Sequence, residues 1–86
     1  MSLEEIALEI QKKYGDTFEN VFIEDGDIVC EESWEYNGCK NDDDCCDQAR
    51  ENGEMIIENF PMLEMSNYYC HRHKYAIVEL KIKELS

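Results

Sequence analysis

Basic side chains are scarce in this sequence: eight Lys and Arg stand against 21 Asp and Glu, a formal charge of −13 over 86 residues. Nucleic acid and anionic lipid both require Lys and Arg to displace counterions, so direct binding to either is disfavoured. No run approaches 18 consecutive apolar residues, and Met1-Ser2-Leu3-Glu4-Glu5 has neither a basic n-region nor an apolar h-region. The expectation is a cytoplasmic chain, of cellular or viral origin, with reduced thiols. One proline and four glycines leave no low-complexity linker, and no internal repeat is present. There is no C-x-x-C pair, and no glycine-rich loop suited to an oxyanion hole.

What is present points to a folded core. Apolar residues make up 43% of the chain, with five Tyr, three Phe and one Trp, the groups a disordered chain lacks. The length suits one domain spanning 1–86 with a single core of marginal stability. The charge is uneven. Residues 1–60 carry 18 acidic and 4 basic side chains, whereas residues 61–86 carry 3 and 4. Such a surface favours a basic partner, or serves solubility.

Ser2 and Glu5 form a capping box, and Leu3, Ile6, Ala7, Ile10 and Tyr14 then recur at helical spacing, which predicts a helix over 3–14. Gly15-Asp16 breaks it, and Phe18 to Ile23 is rich in aromatic and β-branched residues that suit a strand. Asp25-Gly26 favours a type I′ turn, pairing Ile23 with Ile28 and Val21 with Cys30. Ile28, Cys30, Trp34 and Tyr36 then alternate with Val29, Glu31, Ser33 and Glu35, with Glu32 as the exception to a half-buried strand. A second helix is expected from Asp42 to Phe60, with Cys46, Ala49, Gly53, Ile56 and Phe60 on one stripe and Pro61 stopping it. Gly53 should weaken it by about 1 kcal/mol relative to Ala. Residues 68–85 read as a strand, with 68–73 either part of it or a separate arm. The order α-β-β-α-β, with a fourth β segment open, implies an α+β fold with helices packed on one antiparallel sheet.

On the second helix Asp44, Asp47, Glu51, Glu54 and Glu58 recur two residues away from the apolar stripe, about 200° around the axis. They form a ridge about 21 Å long, opposite the buried face. The hairpin adds Glu24, Asp25 and Asp27, with Glu24 opposite Asp27 as a like-charge pair. From Glu24 to Glu58, thirteen acidic and two basic residues occupy 35 positions. These eight carboxylates are the candidate partner-binding residues, docking on a basic protein such as a nucleic-acid-binding enzyme and standing in for backbone phosphates. Duplex DNA carries one charge per ~1.7 Å, so the ridge length matches about a dozen phosphates. The plain alternative is a solvated helix face. In size, charge and α+β pattern the chain resembles small acidic phage-encoded inhibitors, anti-CRISPR and anti-restriction proteins among them, although it shares no motif with a particular family. The resemblance implies a non-enzymatic inhibitor that acts by occupying the groove of a nucleic-acid-binding protein.

The cysteines and histidines support two other readings. Cys39, Cys45, Cys70 and His73 supply soft ligands for a tetrahedral zinc, which would make the chain a small zinc-stabilised interaction domain. Their spacing matches no common finger or ribbon. The run from Cys39 to Cys46 resembles the adjacent-cysteine spacing of small secreted knots but lacks the remaining half-cystines. A thiol-based redox protein would use a Cys45 or Cys70 thiolate, or a Cys45-Cys46 vicinal disulfide. Cys70 and His71, if extended, point to opposite faces and make a poor nucleophile pair. Asn41 to Asp44 lacks the glycine of a calcium loop. The apolar set Trp34, Tyr36, Tyr68 and Tyr75 fits a core or a homodimer surface.

Overall fold

The computed structural model describes residues 2–33, 42–71 and 75–83, the side chains of 42–45 excepted. Helix α1, Leu3–Lys13, opens on Ser2, whose hydroxyl oxygen accepts the Glu5 N–H at 3.2 Å. The Ser2 hydroxyl in turn lies 3.2 Å from Glu5 Oε1, so the capping box closes through the two side chains. Lys12 and Lys13 meet the negative end of the helix dipole. The chain does not pass directly into a strand. The N–H groups of Thr17 and Phe18 both donate to the Tyr14 carbonyl at 2.9 Å, and this turn brings Phe18 into the core in a T-shaped contact with the Tyr14 ring. Strand β1 therefore begins two residues later than the β-rich run suggests, at Asn20–Glu24.

A type I′ turn at Asp25 (φ 52°) and Gly26 (φ 83°) leads to β2, Asp27–Ser33, in the expected register: Val21 opposite Cys30, Ile23 opposite Ile28, Glu24 opposite Asp27. The predicted continuation through Trp34 and Tyr36 lies outside the described residues. Helix α2, Asp42–Asn59, ends just before Pro61. The last part of the chain forms two strands, β3 at Leu63–His71 and β4 at Tyr75–Ile82, paired antiparallel. The strand order is β1-β2-β4-β3, and all the pairings are antiparallel. The fold is α+β with the order α-β-β-α-β-β, two helices on one face of a four-stranded sheet.

The core lies between the layers. Ile6 and Ile10 of α1, Ile56 of α2, and Ile28, Cys30, Val78 and Leu80 of the central strands are all sealed from solvent. α1 covers β1 and β2, and α2 covers β3 and β4. Gly53 is what lets α2 sit so close: a β-carbon there would stand 2.5 Å from Met65 Sδ and 2.9 Å from Val78 Cγ2. The glycine that looked like a weakness in the helix is thus demanded by its packing. Asn59 ties the two helices together, donating to the Tyr14 hydroxyl at 2.7 Å and accepting from Lys13 Nζ at 3.1 Å.

Candidate protein-docking site

The apolar stripe of α2 faces the sheet as its spacing requires, with Ala49, Gly53, Ile56 and Phe60 buried and Cys46 half-buried. One polar residue shares that side. Asn52 is only 4% exposed, donates to Glu32 Oε2 at 2.6 Å and accepts from Gln48 Nε2 at 2.9 Å. Glu32, the residue that broke the alternation of β2, points to the helix side and is satisfied there by α2. Two departures from pattern are therefore halves of one interaction.

Turning the stripe inward turns the ridge outward. Asp47, Glu51, Glu54 and Glu58 are exposed, spanning about 17 Å of helix axis. Asp44 belongs to the same helix, with its side chain outside the described set. Arg50 stands between Asp47 and Glu54 at 3.9 and 4.0 Å, the outer limit of an ion pair, with side chains 49–67% exposed. Pairs of that kind contribute little, so the ridge keeps most of its negative field.

The hairpin carboxylates sit elsewhere. Glu24 and Asp27 alternate with Ile23 and Ile28 on the helix side of the sheet, which places them on the sheet face that the helices leave open, and Asp25 is at the turn. The Ser66 hydroxyl donates to Asp27 at 2.9 Å, with the Glu79 carbonyl at 3.1 Å as its alternative acceptor. The structure thus divides the seven candidate residues with described side chains between two layers, the α2 ridge on one side and the hairpin group on the other. Strand order supplies what the sequence pattern missed: Glu31 on β2 and Glu79 on β4 join Glu24 across the open face. Tyr69 on β3 reports their field. Burial, the charge and hydrogen bond of Glu79, and the charges of Glu31 and Glu24 all push its phenol pKa above the ordinary value.

Two apolar residues on the outer side of the sheet, Val29 and Ile77, are only 4% and 3% exposed. Phe22 and Glu79 flank Val29 in the neighbouring strands, and Glu31 and Tyr69 flank Ile77. Of the apolar set left open between core and dimer surface, Tyr68 is 42% exposed and Tyr75 half-buried, while Trp34 and Tyr36 lie outside the described residues.

Among the proposed zinc ligands, Cys39 and His73 lie outside the described residues, as does the side chain of Cys45. Cys70 is half-buried on the helix-facing side of β3, packed against Ala49 and Ala76. His71, next along the strand, is exposed on the opposite side, its ring 6.4 Å from that of Tyr75. Among the described residues, no group of three or more His, Cys, Asp or Glu is arranged to hold a metal. Burial pushes the Cys30 thiol up to about 12, which makes it a small core hydrophobe. No described helix is long and apolar enough to cross a membrane. Comparison of the chain with protein-family models, curated proteins and solved structures gives no match.

Proposed function

We propose that the chain is a non-enzymatic binding module that docks on a basic protein surface through the outer face of α2. The observation that carries this is the ridge itself: four carboxylates on a helix anchored by its buried face, with one loosely engaged Arg among them. An exposed face serving solubility alone gains from interspersed charges of both signs. This ridge instead repeats one sign at steps of three and four residues, each like pair costing about 0.2–0.5 kcal/mol. Its carboxylates recur about every 5.5 Å along the axis, so four of them occupy a length over which one DNA strand carries about five phosphates. In its most concrete form, the module is an inhibitor that fills the phosphate-binding groove of a nucleic-acid-binding enzyme. The hairpin group makes a separate contact on the other layer.

The test is titration of the chain into DNA-cleavage reactions of restriction and CRISPR effector enzymes, beside the variant D47K/E51K/E54K. The expected result is inhibition that weakens by about tenfold or more between low and physiological salt and disappears in the variant, whose circular dichroism is unchanged. Undiminished inhibition by the variant removes α2 from the mechanism. Absence of any salt-sensitive binding to a basic protein overturns the reading.

A further inference from the structure

The two outer strands of the sheet differ in how their edges are treated. β3 carries a bulge between Met65 and Asn67, and Glu64 pairs with Lys81 at 3.5 Å beside it. Bulges and charges of this kind keep a free edge from pairing with another chain. β1 has neither. Its five residues, Asn20-Val21-Phe22-Ile23-Glu24, keep an unbroken register with β2 and contain no proline and no lysine.

The same edge gathers exposed apolar surface. Of the six large apolar side chains exposed among the described residues, three lie here: Leu8 at 61%, Phe22 at 39% and Ile23 at 36%. Leu8, Ala7 and Gln11 of α1 wall a groove of about 240 Å³ beside Val21 and Ile23. Among the described residues, no other strand pairs with the outer main chain of β1. In a two-residue hairpin the pair closing the turn, Glu24 and Asp27, is the hydrogen-bonded one, and bonded and non-bonded pairs then alternate. Val21 and Ile23 thus fall at non-bonded positions, with N–H and C=O directed to the outer edge.

We propose that the β1 edge and the groove beside α1 accept an extended segment of the basic partner as a fifth strand of the sheet. That the partner is basic rests on the proposed function; strand addition is the new element. Charge selects the occupant. Glu4 lines the groove, and Glu24 and Asp25 stand at the end of β1. A segment alternating apolar residues with Arg or Lys would lay the apolar ones over Leu8 and Ile23. Its cations would meet Glu24 and the exposed Phe22 ring on the other side. A second copy fits less well, since antiparallel pairing of two β1 strands centred on Phe22 sets Asp25 of each against Glu19 of the other, between chains of charge −13.

The experiment uses the full chain, ¹⁵N-labelled, with a blocked decapeptide of alternating Arg and Val as probe. The expected result is amide-exchange protection at Val21 and Ile23 rising by about tenfold or more on peptide addition. Leu8→Lys, a substitution at an exposed helix position, should weaken peptide binding by about tenfold while leaving helix content unchanged. Peptide bound without change at Val21 and Ile23 overturns strand addition and leaves the basic-partner reading standing. No peptide binding even at low salt likewise overturns strand addition, and the basic-partner reading is then decided by the salt-sensitive docking of the α2 ridge. Protection at Val21 and Ile23 that rises with the chain's own concentration, with a dimer in sedimentation, assigns the edge to a second copy and overturns the proposal.

Discussion

Replacing Gly53 with Ala sets helix propensity against packing. In an isolated helix the substitution gains about 1 kcal/mol, because glycine loses the most backbone entropy on ordering. In this fold the added β-carbon lands 2.9 Å from Val78 Cγ2 and from Met65 Cγ, and 2.5 Å from Met65 Sδ. Comfortable carbon contacts lie at about 3.5–4.0 Å, so roughly an ångström must be found. Met65 is unbranched and half-buried and can swing aside. Val78 cannot, since it is fully buried, β-branched and on a strand flanked by β2 and β3. Overpacking of this kind costs about 1–3 kcal/mol. Packing outweighs propensity, and Gly53→Ala should destabilise by about 1 kcal/mol net, lowering the melting temperature by about 4–8 °C for a chain this size. Thermal and urea unfolding followed by circular dichroism measure it. In a Val78→Ala background the clash is relieved and the same substitution should be neutral or stabilising, a coupling of about 1–2 kcal/mol. A higher melting temperature for Gly53→Ala in the unaltered chain would refute the reasoning, and with it the close seat of α2 that holds the ridge outward.

Two further outcomes follow from buried groups. Asn52→Ala strips Glu32 of its donor and leaves Gln48 without its acceptor, and should cost about 1–3 kcal/mol in urea denaturation, part of which returns when Glu32→Val is added. The Cys30 thiol has its folded pKa raised from 9.0 to about 12, so its stabilising contribution is complete below pH 9 and is lost as pH rises toward 12, by about 1.4 kcal/mol per pH unit. The stability difference between the chain and a Cys30→Val variant should therefore shrink or reverse across that window and stay level below it. A pH-independent difference would show that the thiol ionises without penalty.

Much of the local structure was legible in the sequence because short-range chemistry carries it. The Ser2 and Glu5 cap, the Asp25-Gly26 turn with its register, and the single apolar stripe of α2 are each specified by residues within a few positions of one another. The exposure of the α2 ridge follows from the same stripe, since burying one side of a helix exposes the other. Three things needed the tertiary structure. The start of β1 shifted because Tyr14 captured Thr17 and Phe18, a choice made by the core's demand for the Phe18 ring. Glu32 and Asn52 look like errors of pattern until the packing of α2 on the sheet brings them within 2.6 Å. The candidate carboxylates belong to one acidic run along the chain, but those with described side chains form two surfaces in space, because alternation along β1 and β2 sends Glu24 and Asp27 to the open face while the helix carries Asp47, Glu51, Glu54 and Glu58 to the opposite layer. The sequence by itself determined the two helices, the β1-β2 hairpin and the sign of the surface charge, and left open whether residues 68–85 make one strand or two. Only strand order and helix seating, set by contacts between residues far apart in the chain, decided which charges share a face and which edge of the sheet is left open.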